Sequence, residues 1–283
     1  MPAARFGPRR VSARISSAAM INAFSLEGRT AVVCGATQGI GRAAAHEFAR
    51  AGARIAIVGR NEDGLAKVLA ELREISPLAH ESFCADFSDL DATERVAHAA
   101  VAKLGEVHIL INNTGGPAAG SAIEARPRDY VTAMSMHIGC AQAWTQACAP
   151  VMRAAGYGRI INVTSTSVMT PIKGLGVSNT VRAAMANWTK TLASELGRFG
   201  ITVNNVMPGF TKTARLDALF KGKASRGGMT VDEVERDAIA TIPAGRLADP
   251  RELALAMVFL ASPAASYVNG VNLPVDGGRL AAQ

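Results

Sequence analysis

From Thr30 onward, short apolar runs alternate with longer amphipathic ones. The runs AVVC, RIAIV, HESFCA and VHILIN are separated by helical patterns that end near Ala51, begin at Glu62 and begin at Asp89. The short runs lack the polar alternation of a strand with one wet face, so they read as strands buried on both sides. Burial of that kind needs helices on both faces and crossovers that run the strands parallel. The second half repeats the rhythm with a long helix from Arg128 to about Ala154, the strand RIINVT, a helix from about Val177 to Phe199, the strand TVNNVM and a last strand, VNLPV, near Val275. The pattern predicts an α/β fold: a doubly wound parallel sheet of about seven strands in a single domain. The polar, glycine-dotted stretch from Phe210 to Gly245 reads as a mobile loop or lid.

Composition adds little to this picture but removes some alternatives. The chain has 283 residues, 49% hydrophobic and 19% charged, an ordinary globular balance. The formal charge of +7 is concentrated at the N-terminus, where Arg5, Arg9, Arg10 and Arg14 lie in an acid-free stretch. No Lys/Arg cluster is interleaved with aromatic residues, so a nucleic-acid partner is only a weak alternative. No apolar stretch is long enough to span a membrane. Cys34, Cys84, Cys140 and Cys148 fall in apolar runs without CxxC spacing, which suggests small hydrophobes in a reducing, cytoplasmic setting, with no disulfide and no metal site. Residues 1–24 read as a disordered basic extension before a domain at 25–283. The Arg- and Ser-rich start also resembles an organellar transit peptide, and that alternative stays open.

Chemistry enters at Gly35-Ala36-Thr37-Gln38-Gly39-Ile40-Gly41, which follows the first strand and opens a helix. In that context glycines permit a tight turn and let the backbone approach a pyrophosphate, which then sits on the free N–H groups of the helix start. The expectation is a Rossmann-like dinucleotide site that includes Gly35, Thr37, Gln38, Gly39, Ile40 and Gly41. At the end of the second strand an acid would hold the ribose 2′-OH of NAD, and a cation would accept the 2′-phosphate of NADP. The chain reads Val58-Gly59-Arg60-Asn61, so Arg60 favours NADP(H) over NAD(H). Gln38 supplies no second cation.

The GxxxGxG turn, Asn112-Asn113-Thr114-Gly115 after the fourth strand and Pro208-Gly209 after the sixth together resemble the short-chain dehydrogenase/reductase family, in particular its 3-oxoacyl-carrier-protein-reductase-like members. Two positions depart from the family pattern: Cys34 stands for its Thr, and NNTG for its NNAG. The resemblance implies that Asp86 contacts the adenine. It places Asn113, Gly115, Pro208, Gly209, Thr211 and Thr213 at the cofactor, Thr213 being the stronger of the two threonines. Asn113 has the competing reading of a turn cap. The resemblance also implies a small-molecule carbonyl or alcohol substrate and a homo-oligomer, a tetramer or dimer, built on the two long helices and the terminal strand.

The catalytic positions are where the chain departs most from that family. Its serine is retained as Ser165, but thirteen residues on, Ser178-Asn179-Thr180-Val181-Arg182 replaces the Tyr-x-x-x-Lys pattern, and the family's Asn position is His137. An aliphatic alcohol is a far poorer acid than a phenol. Arg182 can clamp ribose hydroxyls but does not give up a proton. His137 is therefore the candidate proton donor, acting through water or Ser178, with a space-filling helix histidine as the alternative. Two readings follow: an NADP(H)-dependent oxidoreductase with an altered proton donor, and a protein that binds the cofactor without turnover.

Overall fold

The computed structural model of the protein describes residues 23–282, so the expected basic extension lies outside the described residues up to residue 22. The strands are β1 Thr30–Cys34, β2 Arg54–Gly59, β3 Glu81–Cys84, β4 Ile109–Asn112, β5 Gly158–Val163, β6 Ile201–Pro208 and β7 Asn272–Val275. They form one seven-stranded sheet in the order β3-β2-β1-β4-β5-β6-β7, and every pairing is parallel.

The crossover helices α1 Gly39–Arg50, α2 Glu62–Ile75 and α3 Leu90–Leu104 connect the first four strands. Helices α4 Pro127–Met134, α5 Cys140–Ala155 and α6 Gly176–Leu196 serve the second half. Helices α7 Ala214–Gly227, α8 Val231–Ala240 and α9 Pro250–Ala261 lie between β6 and β7.

Alternate residues of each central strand serve opposite cores. Ala31 and Val33 join a cluster with Phe48, Leu72 and Met257, whereas Val32 and Cys34 join one with Trp144, Met152 and Leu196. A two-faced strand needs apolar residues at every position, which is why its sequence shows no alternation.

Three local expectations are corrected. The stretch 210–245 is not an open loop: α7, α8 and the turn after them pack Leu216, Phe220, Val234 and Ile242 into a small core of their own. The turn chemistry that suggested a loop consists of caps, with Thr213 accepting from the Leu216 amide at 3.3 Å and Thr230 forming a capping box with Glu233. The long helix expected from Arg128 is interrupted by a π-helical turn at Ser135–Gly139. Finally, Cys84 is exposed, while the other three cysteines are buried and all four are free.

Behind the C-terminal edge of the sheet runs a buried polar chain. Asn112 donates to Asn162 at 2.8 Å, Asn162 donates to the Thr189 hydroxyl at 2.7 Å, and Asn205 donates to Asn272 at 2.8 Å. The single proton of the Thr189 hydroxyl has two acceptors, Asn205 Oδ1 at 2.9 Å and the Met185 carbonyl at 3.0 Å. This chain ties β4, β5, β6 and β7 to α6, and so fixes the platform on which Ser165, Ser178 and Arg182 stand.

Candidate active site

A cleft of about 940 Å³ runs along the C-terminal edge of the sheet. It opens where the strand order reverses, between β1 and β4, the place where doubly wound sheets bind ligands. Its walls include Gly35, Arg60, Asp86, Asn113, Ser165, Ser178, Arg182 and Thr213. From β2 to β5 are three strand spacings, or about 14 Å, a span suited to a dinucleotide lying across the edge.

The glycine turn is shaped by contact, not only by freedom. A Cβ on Gly41 would lie 2.2 Å from the Gly35 carbonyl oxygen, and one on Gly35 would lie 2.6 Å from the Asn113 carbonyl. Gly35 and Gly39 have φ of +60° and +55°. The Asn113 amide donates to the carbonyls of Cys34 and Gly35 at 3.3 and 3.2 Å. Its side chain thus does the turn-holding work that was the alternative to cofactor contact, while the residue itself lines the cleft. The N–H groups of the first turn of α1 have no intrahelical acceptor and form the positive end of the helix dipole.

At the β2 end, Gly59 is buried against Thr37; a Cβ there would lie 3.0 Å from the Thr37 methyl carbon. Arg60 is exposed on the cleft wall and makes no ion pair among the described residues. Asp86 accepts from the Ser88 amide at 2.9 Å, and this bond, more than the nearby charge of Arg60, holds its carboxyl below the usual range. Gln38 is exposed and its side chain caps nothing.

Beyond β6, a Cβ on Gly209 would lie 2.7 Å from the Cα of Asp276, so Gly209 lets the chain end pass close by. The buried Thr211 hydroxyl donates to the Gly209 carbonyl at 3.2 Å. Thr213 caps α7 and lies over Gly39, bringing the second wall onto the glycine turn. Gly115 is exposed on the cleft and meets nothing within 4 Å of an added Cβ.

At the other end of the cleft, Ser165, Ser178 and Arg182 line one wall region. Ser165 Oγ accepts from the Ser167 amide at 3.1 Å, which fixes the oxygen and leaves its proton for a ligand. Ser178 is 9% exposed. Arg182 is 8% exposed, and its Nη1 donates to the Val163 carbonyl at 2.6 Å.

His137 is not with them. It sits inside the π-helical turn, 2% exposed, with Nδ1 unpartnered, while its neighbour Met136 forms the wall. Burial first, and the charge of Arg182 second, push the imidazole down to about 3. It is uncharged at neutral pH and does not line the cleft, so a proton from it reaches the cleft only by way of water or Ser178, the indirect route expected of it.

Sequence reasoning missed Arg215. It lies on the cleft rim, and its Nη2 donates to the Pro117 carbonyl in the loop after β4. The available signal was a cation in the first turn of a helix, where the dipole disfavours it.

The chain matches the family model described as enoyl-(acyl carrier protein) reductase over residues 35–279. It is 32% identical to the 3-oxoacyl-[acyl-carrier-protein] reductase of Vibrio cholerae, covering 90% of this chain and 98% of that protein. A candidate NAD(P)-dependent gluconate 5-dehydrogenase from Beutenbergia cavernae, solved with NADP at low occupancy, superposes with a TM-score of 0.83 at 37% identity, covering 92% of this chain and 99% of the other. L-sorbose reductase from Gluconobacter frateurii, complexed with NADPH and L-sorbose, superposes with a TM-score of 0.86 at 30% identity, covering 91% and 98%.

Proposed function

From the premise that the chain belongs to the short-chain dehydrogenase/reductase family, we propose that it is an NADP(H)-dependent oxidoreductase that interconverts a carbonyl and a secondary alcohol with an altered proton donor. The observation that carries this reading is the single cleft that joins the glycine turn and Arg60 at one end to the retained Ser165 at the other. Bound NADP(H) would supply the hydride. The turn from Gly35 to Gly41 would hold its pyrophosphate, Arg60 its 2′-phosphate and Asp86 its adenosine end. The relatives' cofactors support the same choice, since the Beutenbergia protein holds NADP and sorbose reductase NADPH.

At the reacting end, Ser165 donates its free proton to the carbonyl oxygen as negative charge develops there. The Arg182 guanidinium stabilises the negative charge developing on that oxygen and offers donors to the nicotinamide ribose. Ser178 is smaller than the family's tyrosine and leaves room for water, so a water held by Ser178 and Arg182 delivers the proton and is reprotonated from solvent along the open cleft. His137 shapes the wall behind them as a neutral imidazole. The fit of these residues to an acyl thioester of the 3-oxoacyl type is open to the same assay as simpler ketones.

The second reading is a protein that holds NADP(H) without turnover. One observation favours it: every acidic group expected to replace the phenol is either an aliphatic alcohol or a buried neutral histidine. Titration of NADPH fluorescence, followed by NADPH oxidation assays over ketones, aldehydes and 3-oxoacyl thioesters, separates the two. Turnover that falls about 100-fold or more in Ser165→Ala, with NADPH binding kept, supports the enzyme; binding with no turnover on any substrate supports the alternative. The expected homo-oligomer would cover Val131 and Met134 of α4, which are 69% and 37% exposed in the single chain.

A further inference from the structure

The cleft carries more positive charge at its reacting end than a dinucleotide explains. Arg182 is buried and finds one protein acceptor among the described residues, the Val163 carbonyl, and no carboxylate within ion-pair reach. A guanidinium carries five donors, and a buried charge without a counter-charge is costly. Nor does any acid offset its neighbours: burial, then the charge of Arg215, brings Arg182 down to about 10, so it is still a cation at neutral pH.

Arg215 approaches from the opposite wall. It is the second residue of α7, at the positive end of that helix, and reaches across to Pro117 over Gly116, where a Cβ would lie 3.3 Å from its Nη2. The one carboxylate in the cleft lining is Asp86, at the adenosine end beside Arg60. With the pyrophosphate on α1 and the 2′-phosphate on Arg60, the cofactor's charges are met elsewhere. The nicotinamide ribose that Arg182 also faces is neutral.

We propose that Arg182 and Arg215 form a subsite for a carboxylate carried by the substrate, so that the preferred substrate is a keto acid or the corresponding hydroxy acid. This rests on the NADP(H)-dependent reading above. Arg182 marks the floor of the subsite, beside Ser165 and Ser178, and Arg215 the rim. The planar fork of either arginine matches a carboxylate, which accepts two parallel N–H bonds. A neutral ketone of the same shape leaves both cations unpaired.

The test uses the full chain and a matched pair of probes, 4-oxopentanoate and its methyl ester, titrated calorimetrically into protein saturated with NADP⁺. The acid is expected to bind at least about tenfold more tightly than the ester. Arg215→Gln abolishes that preference, Arg215→Lys keeps part of it, and both bind NADPH within about twofold of the parent. Equal binding of acid and ester, or no binding of the acid to the NADP⁺-loaded protein, overturns the subsite while leaving the dehydrogenase reading intact. An Arg215→Gln variant that loses NADPH affinity but keeps the preference for the acid also overturns it, by making Arg215 a cofactor contact. Failure of the parent protein to bind NADPH overturns the dehydrogenase reading itself.

Discussion

At Gly41 the constraint is a carbonyl oxygen, not a preference for flexibility. A methyl group there would meet the Gly35 oxygen at 2.2 Å and the Asn113 amide nitrogen at 2.8 Å, and the backbone has no rotamer with which to yield. Gly41→Ala is therefore expected to lose about 1–3 kcal/mol of stability and to weaken NADPH binding at least about tenfold. Thermal unfolding and fluorescence titration check it, and parent-like affinity would contradict it. Glycines of this kind are legible in sequence because the backbone demand appears directly as residue type. His137 is different: sequence gives a titratable side chain on a helix, but only tertiary packing gives the burial and the nearby Arg182 that together hold it neutral. The unfolded chain takes up this proton near pH 6.5, while the folded chain resists until about 3. Stability therefore falls as pH drops through that window, by up to about 1.4 kcal/mol per pH unit for this one group. His46, His80 and His108, also lowered chiefly by burial, add to the same slope. In His137→Asn the slope becomes shallower between pH 6.5 and 4, as urea unfolding across that range would show; an unchanged slope would mean that His137 titrates normally.

At the level of elements, the strands and crossovers were legible because burial on both faces leaves continuous apolar runs. What the pattern did not reveal was the polar chain behind the site. Asn112, Asn162, Thr189 and Asn205 are each fully or nearly buried, and in sequence they look like polar interruptions of apolar strands and a helix. Only the parallel register, with Asn112 opposite Asn162 and Asn162 opposite Asn205, brings such residues into one connected set. Asn162→Leu strands the Asn112 amide and removes a donor from Thr189. It is expected to cost about 1–3 kcal/mol in urea unfolding, the penalty for a buried polar group left unpaired. An unchanged midpoint would show that water or rearrangement replaces the lost bonds. Helices α7 and α8 were misread for the opposite reason: their glycines and polar caps look like a loop, and the core they share is too small to impose a strong apolar period.

Over the whole molecule, the parallel sheet gathers residues from distant parts of the sequence onto one edge, and the charge of the resulting cleft becomes readable only there. Arg60 and Asp86 stand at one end, Arg182 and Arg215 at the other, and the glycine turn lies between. The glycine turn at the expected phosphate end was legible in the sequence, because its motif is local. The reacting end was legible only as a set of departures from a family pattern, since the meaning of Ser178 and Arg182 depends on what the fold places around them. The account rests first on the cleft accepting a 2′-phosphorylated dinucleotide. Fluorescence titration of NADPH and NADH against the full chain and its Arg60→Ala variant tests this most directly. The predicted result is NADPH binding at least about tenfold tighter than NADH in the parent, with that difference lost in the variant, the scale set by a charge-assisted hydrogen bond of about 1.5–3 kcal/mol. Binding of neither dinucleotide, or NADH binding as tightly as NADPH in the parent, would contradict it.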